Sequence, residues 1–242
     1  MQATTIPLVE QVWTNYTEAN HRAWSVLYEK RMRELQGTGS QLFLDGAKAI
    51  GLQHGQVPDL KEINRRLASR SGWQAIAVSG FIPAADFFAC LADRRFPTTI
   101  TIRPLDRLDY IPEPDIFHDV FGHVPLHADP AFADFLQRFG AVAARARTEK
   151  QTAWMARLFW FTVEFGLIAE RRELKVYGSG LISSAADAAN ALSTACEKRP
   201  FSLDAVIDQP FEIDHLQNTL FVVQSFQQLF EAVTEMERRI GK

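Results

Sequence analysis

Residues 112–126 run Pro-Glu-Pro-Asp-Ile-Phe-His-Asp-Val-Phe-Gly-His-Val-Pro-Leu, and prolines near both ends leave this stretch few conformations. Pro112 and Pro114 bias the entering chain toward extended or polyproline geometry. Asp115 follows as a natural N-cap, its carboxylate able to accept the first free N–H groups of a helix running from Ile116. Gly122 and Pro125 mark where that helix should end. The result is a short, rigid segment carrying two imidazoles, His118 and His123. On an ideal α-helix, residues i and i+5 diverge by roughly 140°. The two rings therefore converge only if His123 sits at a frayed helix end that Gly122 relaxes. That spacing separates the motif from the His-Glu-x-x-His pattern of zinc proteases, which needs i and i+4.

Further along, Phe159-Trp-Phe-Thr-Val-Glu-Phe-Gly166 sets one carboxylate, Glu164, in an apolar helical stretch. An ionised carboxylate on such a face is costly without a partner, and a metal supplies one. Two imidazoles and one carboxylate are the donor set of a mononuclear non-haem iron site with open coordination positions. Other readings stay open at this point. Each histidine alone reads more readily as a core or capping residue. The same three ligands suit a zinc hydrolase with a fourth position open to water, and a non-catalytic helical module leaves Glu164 unexplained.

Charge and cysteine usage narrow the class. The net charge of −3, with Lys and Arg scattered, gives no electrostatic footprint for nucleic acid or an anionic membrane. Cys90 and Cys196 stand in no metal or redox spacing, as expected of free thiols in a reducing cytoplasm. The N-terminus lacks a basic, apolar leader pattern, and no apolar run is long enough to span a bilayer. A chain of 242 residues can bury a sizeable core as one domain without an external staple.

Most of the chain reads as helix. Helical spacing is clear over His21–Leu35, from a Ser40 cap to Ile50, from Pro58-Asp59 to a stop at Gly72, and from Pro83 to Ala92. Further helices are predicted over Pro130–Arg147, Ala153–Glu170, Ser183–Leu192 and Ser225–Ile240. Trp73–Val78 and Thr98–Arg103 read as short strands, and Lys175–Gly180 as a glycine-bearing turn. The Gly-x-Gly at 178–180 lacks the strand–loop–helix context of a dinucleotide fingerprint. The expected fold class is mainly α with a few short β-strands, a single-domain helical basket over 1–242 with residues 1–11 loosely ordered.

Three ordered motifs carry a resemblance. Pro-Glu-Pro-Asp-x-x-His-Asp-x-x-Gly-His-Val-Pro, then Trp-Phe-Thr-Val-Glu-Phe-Gly-Leu, then Tyr-Gly-Ser-Gly-Leu-x-Ser-Ser resemble the pterin-dependent aromatic amino acid hydroxylases, and look closest to the bacterial branch acting on phenylalanine. The similarity runs from Val12 to Phe230. It implies the helical basket of that family's catalytic domain, and conversion of L-phenylalanine to L-tyrosine with molecular oxygen, Fe(II) and a tetrahydropterin. Tryptophan or tyrosine is the alternative substrate. The regulatory domain and tetramerisation tail of animal members have no counterpart in these residues, which implies a monomer. Functional coupling to a pterin carbinolamine dehydratase follows from the same likeness.

Residue by residue, the resemblance assigns iron to His118, His123 and Glu164. It sets Arg103 opposite the substrate carboxylate, with Asp115 holding Arg103, and Ser183 on the amino acid. Trp160, Phe165 and Pro112 would wall the aromatic ring, with Gly180 leaving room beside it. Phe87 would stack on the pterin, with Ile82 and Asp119 at the same cofactor. By themselves, Arg103 reads equally as a surface residue, Ser183 as a helix cap, and the aromatics as core. Phe159 replaces the usual tyrosine and loses its hydroxyl, with modest effect expected. Ile111 stands where animal members carry a hydroxyl. Phe211, His215, Leu216 and Leu220 depart from the commoner Tyr, acidic, Phe and Tyr, in a segment expected at the site mouth.

Overall fold

A computed structural model describes residues 6–109 and 113–241. Ten α-helices dominate these described residues. They are α1 (Glu18–Thr38), α2 (Gln41–Ala49), α3 (Leu60–Ala68), α4 (Ala84–Ala92), α5 (Pro130–Ala143), α6 (Glu149–Phe159), α7 (Ser179–Ser183), α8 (Ala185–Leu192), α9 (Leu203–Asp208) and α10 (Phe226–Ile240). Local caps set many of the starts. Thr17 and Thr148 form capping boxes with Asn20 and Gln151, while Ser40, Asp59, Asp129 and Ser184 each accept a first-turn N–H.

Two small sheets complete the fold. Strands β1 (Gln74–Val78) and β2 (Arg95–Thr99) pair in parallel. Strands β3 (Leu167–Glu170), β4 (Glu173–Val176), β5 (Glu197–Pro200) and β6 (Thr219–Val223) form a sheet in the order β4-β3-β6-β5, antiparallel only between β3 and β4.

Two stretches are wound as π-helix. These are Phe117–His123 and, continuing α6, Trp160–Glu164. Because π winding bonds i to i+5, it stacks residues five apart along one face. Around the first segment, Phe117 and Phe121 point away from the histidines into the core. Their rings stack at 4.6 Å, with Trp24 edge-on to Phe117 at 5.4 Å and Phe43 edge-on to Phe121 at 5.5 Å. Burying four such aromatics is a large apolar contribution, and it fixes the rotation of the π segment about its axis.

The structure corrects several sequence expectations. The second strand covers 95–99, not 98–103, and Pro97 within it weakens its strand signal. The helix expected to Glu170 breaks at Phe165, and 167–170 is strand β3. The β3–β4 hairpin turns on Arg171 and Arg172, both at positive φ, where a tight turn usually shows Asn or Gly. The expected 175–180 turn contains the end of β4 and the start of α7. Strands β5 and β6 were not anticipated. The loosely ordered start is also revised for residues 6–11. Val9 donates to Ala77 O at 3.0 Å, and the buried Gln11 carboxamide accepts the Leu60 N–H that opens α3 at 2.8 Å. Residues 1–5 lie outside the described residues, as do Ile111 and Pro112.

Candidate active site

π winding replaces the frayed α-helical end expected for His123. Both imidazoles lie on the inner face of the Phe117–His123 segment, one π turn apart, with ring centroids 5.0 Å from each other. Gly122 does not relax this helix; a Cβ there would come 2.9 Å from Ser179 O, so the glycine admits α7 against the segment. Pro125 does not end the helical path either, because Val124–Ala128 continues as a 3₁₀ turn with the proline in its first turn.

Glu164 closes the second π segment and faces the histidines. His118 Nε2 lies 3.3 Å from Glu164 Oε1, and His123 Nε2 lies 3.2 Å from Oε2. The ligand atoms of all three residues lie within 4.8 Å of one another. Two of the three are held from behind. His118 Nδ1 is 2.9 Å from Ser183 Oγ, and Ser179 Oγ donates to Glu164 Oε2 at 2.8 Å. Burial alone would lift the Glu164 carboxyl, but His118, His123 and the Ser179 hydroxyl outweigh it and bring it down to about 2. The donors suit a borderline or hard divalent metal, with no thiolate in the set. A second group, Glu212, Asp214 and His215, is fully exposed, and His215 Nδ1 is already paired to both acids.

Asp115 organises the entrance to the first π segment. It accepts the His118 N–H at 3.0 Å, which is the expected capping bond. It also takes the Arg103 guanidinium as a fork, Nε at 2.8 Å and Nη2 at 2.9 Å, together with the Arg103 backbone N–H at 3.0 Å. Burial pushes the Asp115 carboxyl up, and the Arg103 contacts more than reverse this. Arg103 is therefore buried and paired, not a surface residue. Arg103 and Ser183 both line a cavity of about 200 Å³, with Lys30 and Asp109 at its edge. A larger, open cleft of about 420 Å³ lies elsewhere, against Trp13, His21 and Arg22.

Of the remaining sequence candidates, Phe165, Trp160 and Gly180 lie beside Glu164. Phe165 stacks obliquely on Trp160 at 4.6 Å, and a Cβ on Gly180 would sit 2.9 Å from the Phe165 ring and 3.0 Å from Glu164 Oε1. Phe87 lies on α4, and Ile82 is buried just before that helix. Phe159 links the two sides, edge-on to Phe87 at 5.5 Å and parallel to His123 at 6.4 Å. Asp119 turns to β2, where it accepts the Thr99 N–H and hydroxyl at 2.7 Å each, and burial pushes its carboxyl up. Ser183 does not cap the next helix; Ser184 does. Of the divergent positions, Leu220 lies in the core on β6 and not at the mouth, while Phe211 stacks on Trp160 at 4.5 Å.

Sequence reasoning missed Ser179, Thr99 and Gln217. Ser179 stands between two glycines, and that setting is its only sequence signal: Gly178 and Gly180 both pack directly on Glu164. Thr99 and Gln217 carry no local signal at all.

Residues 3–242 match the family described as biopterin-dependent aromatic amino acid hydroxylase. The phenylalanine-4-hydroxylase of Caulobacter vibrioides is 42% identical over 224 residues, which cover 92% of this chain and 76% of that protein. Solved structures of the Chromobacterium violaceum phenylalanine hydroxylase superpose closely. The form with iron(III) and oxidised 7,8-dihydrobiopterin gives a TM-score of 0.91 at 37% identity, over 97% of this chain and 86% of that one. The form with iron and phenylalanine gives 0.90 at 34%, over 99% and 89%. The chain belongs to the biopterin-dependent aromatic amino acid hydroxylases.

Proposed function

We infer that this protein is an iron- and pterin-dependent monooxygenase that converts L-phenylalanine to L-tyrosine with molecular oxygen. The observation that carries the reading is the convergence of two imidazole Nε2 atoms on one half-buried carboxylate, inside a chain of this family. Iron is assigned to His118, His123 and Glu164 as a two-histidine, one-carboxylate face. The bound metal and pterin supply the activation of oxygen; the protein supplies binding, orientation and water exclusion. With Nε2 assigned to the metal, His118 carries its proton on Nδ1 and donates it in a hydrogen bond to Ser183 Oγ, while Ser179 holds the carboxylate.

Arg103, already fixed by Asp115, presents its remaining N–H edge to the amino acid carboxylate, in the cavity it shares with Ser183. Trp160 and Phe165 wall the aromatic ring, Gly180 leaves the space beside Glu164, and Pro112 is assigned to the same wall. Phe87, Ile82 and Asp119 are assigned to the pterin side. Phe159, between Phe87 and His123, adds apolar packing where a tyrosine would add a hydroxyl.

The spent pterin must be dehydrated and reduced before reuse, which calls for a partner of the carbinolamine dehydratase kind. A cytoplasmic monomer is the accompanying reading, supported by two buried free thiols and by exposed apolar side chains dispersed along the described chain. No helix among the described residues is long and apolar enough to cross a membrane. The test is product analysis with phenylalanine, tyrosine or tryptophan, each supplied separately with Fe(II), tetrahydropterin and oxygen. Para-tyrosine from phenylalanine, dependent on both iron and pterin, is expected. Another amino acid turned over in preference would overturn the substrate assignment.

A further inference from the structure

Gln217 is a buried polar side chain that joins Trp160 to the 211–217 turn. Only 7% of its surface is exposed, although its neighbours Ile213 and Leu216 in the same turn are 77% and 51% exposed. Its Oε1 accepts the Trp160 indole N–H at 3.2 Å. Its Nε2 donates to the Glu212 and His215 carbonyls, each at 2.8 Å. Its own backbone carbonyl accepts from Asn190 Nδ2 on α8 at 2.8 Å. Phe211, at the head of the turn, lies flat on the indole with an interplanar angle of 17°.

These contacts divide the work. Stacking by Phe211 fixes the plane of the indole but lets the ring slide within that plane, because dispersion is weakly directional. A hydrogen bond at Nε1 is directional and sets the in-plane position. The carboxamide is suited to this place because it offers an acceptor to the indole and two donors to the turn. A glutamate would turn its charge on two carbonyl oxygens, and an apolar residue would lose all three bonds.

We propose that Gln217 is a positioning residue for the aromatic-ring subsite, holding the Trp160 indole and the 211–217 turn in one arrangement and thereby setting selectivity among aromatic amino acids. The proposal rests on the reading of Trp160 as a wall of that subsite. Trp160 also opens the π segment that ends in Glu164, so its placement and that of the carboxylate share one backbone.

Gln217→Leu is expected to raise KM for phenylalanine about tenfold, the equivalent of one directional hydrogen bond. It should also narrow the preference for phenylalanine over tryptophan, while KM for the pterin and the iron stoichiometry stay as in the parent. Trp160→Phe keeps a ring and removes the indole donor, so Gln217→Leu in that background should shift KM far less than in the parent. A Gln217→Leu enzyme that keeps the parent KM and selectivity while melting earlier would overturn the proposal and leave a purely structural role. The same holds if the two substitutions prove additive. If Gln217→Leu does not fold, the Trp160→Phe selectivity reads the same bond from its other end, and an unchanged preference sinks the proposal. Trp160→Ala separates the underlying reading: an unchanged KM for phenylalanine there removes Trp160 from the subsite, whatever Gln217 does.

Discussion

The His118–His123–Glu164 cradle and the 211–217 turn that packs on Trp160 are built on opposite principles. In the cradle, His118 and Glu164 are each braced by a serine on α7, and His118 is also fixed through Asp115 at its own backbone N–H. Glycines at 122, 178 and 180 remove the side chains that would hold α7 away. The 211–217 turn has one keystone side chain and exposed apolar tips. Two ligands held by serines have little room to shift, whereas the turn depends on one carboxamide.

The largest effect should come from the cradle itself. Glu164→Ala removes the only carboxylate of the donor set, so hydroxylation should fall below detection while the circular dichroism spectrum stays helical. Retained turnover would sink the ligand assignment. Next, Ser179→Ala and Ser183→Ala should each weaken iron binding by about 10–100-fold, the usual consequence of removing an outer hydrogen bond to a ligand. Equal iron affinity in both variants would reduce the bracing serines to packing. Arg103→Lys cannot reproduce the fork to Asp115, so KM for the amino acid should rise by about tenfold or more. Steady-state kinetics with varied phenylalanine reads this, and an unchanged KM rejects the carboxylate role.

The smallest effect concerns His127, which is buried beneath the cradle, stacked on Trp73 at 4.6 Å, with no protein hydrogen-bond partner for either ring nitrogen. Burial, and secondarily the nearby His123, hold its pKa well below the ordinary histidine value. The unfolded chain therefore binds a proton at His127 below about pH 6.5, where the folded chain does not, so folding stability must fall as pH drops through that value. Denaturant titrations at pH 7.5 and 5.5 should show that loss, and His127→Phe should reduce it. A parent enzyme equally stable at both values would contradict the argument.

The donor residues were legible because chemistry marks them: two histidines between prolines and a lone acid in an aromatic run. Their geometry was not legible, since no residue in Phe117–His123 announces π winding over α winding. Phe117 and Phe121 seat against Trp24 and Phe43, a tertiary constraint that fixes the rotation of the segment. Helices with side-chain caps, such as α2 at Ser40 and α3 at Asp59, were placed correctly. Strands β3 to β5 were hidden for local reasons. Arg171-Arg172 imitates no known tight-turn signature, and Glu-Lys-Arg-Pro in β5 has poor strand propensity. Gln217 was invisible because its partners, Trp160 and Asn190, are distant in sequence.

Anaerobic Fe(II) titration followed by calorimetry and metal analysis, on the parent and on Glu164→Ala, tests the iron site most directly. One tightly bound iron per chain is expected in the parent and none retained by the variant after desalting, with both proteins equally helical. Stoichiometric iron in a folded Glu164→Ala protein would show that the metal sits elsewhere, and the assignment to His118, His123 and Glu164 would fall.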